Sequence, residues 1–144
     1  MEAGITHEFE TTDFAGITAR IINPGSCPFT VLDMSVKPGF GAPRHISFSE
    51  DKLFIVIEGV FKYVIDEETG LAGPGDRVTV PKGMVHGFTN VSDGVARQIL
   101  VSTPRRHEDF FRDMHNIPEP REANRDRLPA ITQRHDQAIV GALP

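Results

Sequence analysis

The chain has 144 residues, a net charge of −5 and a single cysteine, Cys27, which suits one domain with an apolar core and leaves no pair for an internal disulfide. The acidic balance, without any basic block, argues against nucleic acid or an anionic membrane as the main partner, and no apolar run reaches the length of a membrane span. The start, Met-Glu-Ala-Gly-Ile-Thr-His-Glu, lacks the basic and apolar regions of a signal peptide, so the expected setting is the cytoplasm and the expected partner a small molecule.

Short runs rich in Val, Ile and Phe predict strands over Ile17–Ile22, Phe29–Val36, Arg44–Ser47, Leu53–Ile57, Val60–Ile65, Val78–Val80, His86–Asn90 and Arg97–Ser102. Turn chemistry separates them at Asn23-Pro-Gly25, Lys37-Pro-Gly39, Gly73-Pro-Gly75, Pro81-Lys-Gly83 and Ser92-Asp-Gly94, while Glu58-Gly59 reads as a tight hairpin. In Leu53–Ile57 both alternating sets are apolar, which calls for cover on both faces. The barrel interior supplies one cover. The N-terminal strand or a second subunit supplies the other, and a homodimer is expected.

After Pro104 the alternation stops. Phe110, Phe111 and Met114 fall at helical spacing and predict a short helix docked on the barrel. Pro118–Leu128, with mixed Glu and Arg, predicts a solvated helix or irregular arm, and Ile131–Val140 a short helix across an opening. The domain plan is therefore a barrel over 1–103 and a helical or irregular extension over 104–144.

Two segments carry the chemistry. The first is Gly39-Phe-Gly-Ala-Pro-Arg-His45-Ile-Ser47-Phe-Ser-Glu-Asp-Lys52-Leu-Phe-Ile-Val-Ile-Glu-Gly59. The second is Gly75-Asp-Arg-Val-Thr-Val-Pro81-Lys-Gly83-Met-Val-His86-Gly-Phe-Thr-Asn90. Residues two apart on a strand share a face, so His45 goes with Ser47, and His86 with Phe88 and Asn90. The second segment resembles the second motif of the cupin superfamily at every position. The first resembles the first motif at its glycines and first histidine, and the resemblance covers about Val36–Ser102.

The resemblance implies an all-β fold, a double-stranded β-helix or cupin jelly-roll barrel, here with a short helical C-terminal extension. It also implies a pocket that often holds iron, manganese, nickel, copper or zinc on three histidines and a glutamate. His45 and His86 match two of those ligand positions. Ser47 stands in place of the second histidine and Lys52 in place of the glutamate. A hydroxyl is a poor ligand at neutral pH and an ammonium repels a cation. The expected state is therefore without a cofactor, the alternative being one divalent transition metal on His45, His86 and a third ligand such as Glu50, Asp51 or His7.

Without a metal, Lys52 can receive an anionic or enolate-like group and bias both imidazoles toward the neutral form, so that one serves as general base and the other as donor. His45, His86 and Lys52 are the candidate catalytic residues. Arg44, Ser47, Phe40, Phe54, Met84 and Phe88 are candidates for contact with substrate. The expected function is acid–base chemistry of an isomerase, cyclase, dehydratase or epimerase on a polyketide-like or other secondary metabolite. A quercetinase-like dioxygenase, whose overall plan is similar, and a non-catalytic binding module are the alternatives. His107, His115 and His135 lie in the polar tail and are expected to be solvated.

Overall fold

The computed structural model describes residues 1–144. Eleven strands form two antiparallel sheets. They are β1 (Thr11–Phe14), β2 (Ile17–Ile21), β3 (Thr30–Val36), β4 (Gly41–Ser47), β5 (Asp51–Glu58), β6 (Phe61–Ile65), β7 (Glu68–Ala72), β8 (Arg77–Val80), β9 (His86–Asn90), β10 (Ala96–Thr103) and β11 (Gln137–Ile139). The six-stranded sheet has the order β1-β2-β3-β10-β5-β8, and the five-stranded sheet β11-β4-β9-β6-β7. This is the jelly-roll barrel expected.

Alternation drives the packing. On β2 and β10 every second residue is buried, and Leu32, Met34, Val36, Phe54, Val56, Phe61, Phe88 and Leu100 meet between the sheets. Each such side chain contributes about 1.5–3 kcal/mol when fully buried. Phe61 and Phe88 meet edge to face at 5.7 Å, locking two neighbouring strands of one sheet.

Several elements differ from expectation. β1 and β7 form where no strand is predicted, because Thr11–Phe14 is too short and Glu68–Ala72 too exposed to show a clear apolar alternation. Glu58-Gly59 is not a hairpin: β5 and β6 lie in different sheets, and the dipeptide is the corner between them. Gly59 has φ +78°, and a Cβ there would come within 2.6 Å of the Ala96 Cβ, so the corner requires glycine. The outer face of β5 is not covered by the N-terminal strands, which extend the sheet beyond β3, and Ile55 and Ile57 stay exposed.

The C-terminal extension is part of the barrel. Helix α1 (His107–His115) turns Phe111 onto Phe14 at 5.0 Å, and its first turn is anchored by Glu108, which is fully buried and bonded by Thr30, Asn23 and Arg105. A 3-10 helix over Arg121–Arg127 buries nothing, as a solvated arm should. The segment from Ile131 is helical only as far as Arg134, the end of α2 (Leu128–Arg134). It then becomes β11, which pairs with β4 so that Gln137 faces Ser47 and Ile139 faces His45. No helix is long and apolar enough to cross a membrane.

Candidate active site

β4 and β9 are neighbours, and the register sets His45 opposite His86. The register shifts between Ala42 and His45, where Pro43 has no amide hydrogen for the ladder. That irregularity leaves the Pro43 carbonyl free to accept a hydrogen bond from His45 Nδ1 at 2.6 Å. The Met84 carbonyl does the same for His86 Nδ1 at 3.0 Å. Both rings therefore carry their proton on Nδ1, and both Nε2 lone pairs turn inward with the ring centroids 4.1 Å apart.

What those lone pairs meet is Lys52. Its Nζ lies 3.4 Å from His45 Nε2 and 3.2 Å from His86 Nε2. Lys52 sits on β5 of the opposite sheet and is 4% exposed, so it does not reach the rim. Burial lowers its pKa to about 8, with the Glu50 carboxylate pulling the other way. Burial, then the Lys52 charge, push His86 down to about 3 against the hydrogen bond to Met84. Burial, Lys52 and His86 also hold His45 well below the usual imidazole range. At neutral pH the cluster holds one proton beyond its neutral state, and Lys52 carries it.

A cavity of about 240 Å³ opens onto this cluster. His45, Lys52, Phe54 and Phe88 line it, while His86 sits behind them. The other walls come partly from the extension, through Phe110, Phe111, Met114, Leu128 and Ile139. The remaining expected contacts lie elsewhere. Phe40 is 46% exposed and packs over Gly16, and Met84 contributes its carbonyl rather than a cavity wall. Arg44 does not face the cavity; its guanidinium donates to the carbonyls of Ala142 and Leu143. Ser47 is buried with its hydroxyl unpartnered.

His107 is the residue missed. It is 4% exposed rather than solvated, lines the cavity, and sets Nδ1 3.1 Å from Glu50 Oε1, within reach of a hydrogen bond but out of line for a straight one. The signal was present in the spacing, since His107, Phe110, Phe111 and Met114 share one helical face. Burial lowers His107, as does Lys52, while Glu50 opposes both. Gln137, on β11, adds a buried amide nitrogen without a partner at the cavity wall. His135 is also buried and pairs with Asp113 at 2.6 Å, whereas His115 is exposed as expected.

The donor set does not suit a metal ion. No group of three His, Cys, Asp or Glu side chains converges on one point, and the two imidazole nitrogens that would bind a cation face an ammonium. Glu50 is turned to His107, and neither His7 nor Asp51 is buried.

The Cupin domain family matches residues 32–102, a span that holds both histidines and Lys52. Two sheets, the paired motifs and this match place the chain in the cupin superfamily. Among solved structures, a cupin-superfamily sugar phosphate isomerase from Silicibacter pomeroyi is 28% identical, with a TM-score of 0.57, over 61% of this chain and 59% of that one. The match thus spans less than two thirds of that protein's length. KdgF from Halomonas sp. is 24% identical with a TM-score of 0.63 over 73% of this chain and 94% of that one. The polyketide cyclase RemF from Streptomyces resistomycificus is 22% identical with a TM-score of 0.59 over 71% and 78%. No curated protein sequence matches the chain. These likenesses support a cupin that binds or transforms a small molecule and leave the reaction open.

Proposed function

We propose that the protein is a metal-independent cupin enzyme that moves a proton on carbon next to a carbonyl group, in an isomerisation, cyclisation, dehydration or epimerisation. The observation that carries this is the Lys52 ammonium at the base of an apolar cavity, within 3.4 Å of two neutral imidazoles. As a carbon acid loses its proton, charge grows on the carbonyl oxygen. A desolvated ammonium already in place stabilises that charge more than water does. An oxygen anion beside Lys52 also offsets the charge that depresses His45, so that His45 Nε2 gains basicity when substrate is bound. His86 holds Lys52 from behind. The apolar walls suit an aromatic or polyketide-like body with an acidic or enolisable head, and the isomerase and cyclase among the structural relatives are in keeping with this chemistry.

A dioxygenase needs a redox metal, for which the donor set falls short. A purely binding role leaves the cost of burying Lys52 without a purpose. The active unit is a homodimer in the cytoplasm, joined through the outer face of β5. The test is deuterium exchange into aryl ketones and cyclic 1,3-diketones in D2O, followed by proton NMR. Chelator-treated protein should exchange at the untreated rate, and Lys52→Met should lose at least about a hundredfold. Undiminished exchange in Lys52→Met, or exchange only after metal is added, overturns the proposal.

A further inference from the structure

Besides His45, a second imidazole lines the cavity, and it belongs to neither motif. His45 has both ring nitrogens engaged, Nδ1 by the Pro43 carbonyl and Nε2 by Lys52, and His86 does not line the cavity. His107 has Nδ1 3.1 Å from the Glu50 carboxylate, close enough to pair though out of line for a straight hydrogen bond, and its ring lines the cavity. A buried carboxylate on one ring nitrogen fixes which tautomer is present and turns the other nitrogen into the acceptor. Glu50 is 1% exposed, and the rings of Phe110 and Phe111 stand 5.7 and 5.4 Å from His107, so the pair is both dry and held.

We propose that His107, oriented by Glu50, is a second proton-transfer group of the cavity and works across Lys52 from His45. The proposal rests on the carbon-acid chemistry proposed above and adds to it a two-base arrangement. His107 enters just beyond β10, whose Ser102 is the register partner of Lys52, whereas His45 comes from the facing sheet. A substrate oxygen held at Lys52 then has a nitrogen base on either side of its neighbouring carbon atoms. One base takes the C–H proton, the electron pair passes into the enolate, and the other returns a proton to the opposite face or to a second carbon. This favours substrates whose product differs by inversion at one carbon or by a shifted double bond. Glu50 is a positioning residue.

A probe that reports a base in an apolar cavity without needing the natural substrate is 5-nitrobenzisoxazole. Loss of its C3 proton to the base forms the nitrile as the N–O bond breaks, and releases a coloured phenoxide. The wild-type protein is expected to eliminate it faster than free imidazole at equal concentration, with His107→Ala slower by about tenfold or more. Added imidazole should restore part of the His107→Ala rate, since the deleted ring leaves space on the cavity. Glu50→Gln should lower kcat severalfold with KM nearly unchanged, and Glu50→Asp should recover part of the loss. Circular dichroism and the unfolding midpoint distinguish a lost base from a lost fold.

A folded His107→Ala with the wild-type rate, a loss that imidazole does not relieve, or a wild-type rate no greater than that of imidazole overturns the proposal. The two proposals fail separately. Lys52→Met that abolishes ketone exchange beside an unaltered His107→Ala elimination rejects only the His107 base. His107-dependent elimination with full ketone exchange in Lys52→Met rejects only the role given to Lys52.

Discussion

The side chains at and behind the base of the cavity have their proton affinities set largely by burial, and pH should expose this in stability as well as in activity. His86 has its pKa lowered from 6.5 to about 3, so below pH 6.5 the unfolded chain takes up a proton that the folded protein resists. That share of stability is intact above 6.5 and is lost as pH falls toward 3. Urea titrations across this range should show His86→Gln with a shallower decline, by about one proton in the linkage slope. Lys52 acts at the other end. Its pKa falls from 10.5 to about 8, so the unfolded chain binds the extra proton between those values and stability should rise as pH climbs through them. Lys52→Met should remove this rise, and an unchanged urea midpoint between pH 8 and 10.5 in the wild type would contradict the buried ammonium. His45, Lys52 and His86 were legible because motif spacing fixes strand register. For His107 the helical spacing with Phe110, Phe111 and Met114 could mark a buried face but not a place in the site, because its partner Glu50 lies 57 positions upstream and only tertiary packing brings them together.

At the level of elements, the site depends on how closely β4 approaches β9. A Cβ on Gly41 would fall 1.9 Å from the Phe88 carbonyl oxygen, where the backbone has no means of yielding locally. Gly41→Ala should therefore cost about 3 kcal/mol and spread the strands that carry His45 and His86, to be read as a lower urea midpoint with altered histidine NMR shifts. A stability change below about 0.5 kcal/mol would mean that the two strands are not so tightly apposed. The strands with strong alternation, such as β2, β3 and β10, could be read from sequence to within a few residues. β11 could not: three residues leave no period to detect, and Gln137-Ala-Ile139 becomes a strand only because the edge of β4 offers it partners. Glu58-Gly59 misleads for a related reason. A two-residue hairpin and a corner between sheets use the same turn chemistry, and the difference lies in which strand the next segment finds.

For the whole molecule, the outer face of the six-stranded sheet is the surface through which the proposed homodimer would form. Register brings Val31, Val101 and Leu53 into one row, with Ile99 and Ile55 in the next pair, all turned outward on β3, β10 and β5. An apolar stripe of this kind, bordered by Arg20, Asp33 and Arg97, suits a second copy of the same surface. Sedimentation at micromolar concentration should give a dimer, and Ile55→Lys a folded monomer; a monomeric wild type would end the proposal. The opposite end of the molecule has a different exposure. β11 occupies the lateral edge of β4 at His45, Ile46 and Ser47, and with it removed the peptide groups of those three residues would be left as a bare template for another chain. The pairing that completes the cavity wall is thus also a guard against fibrous self-association.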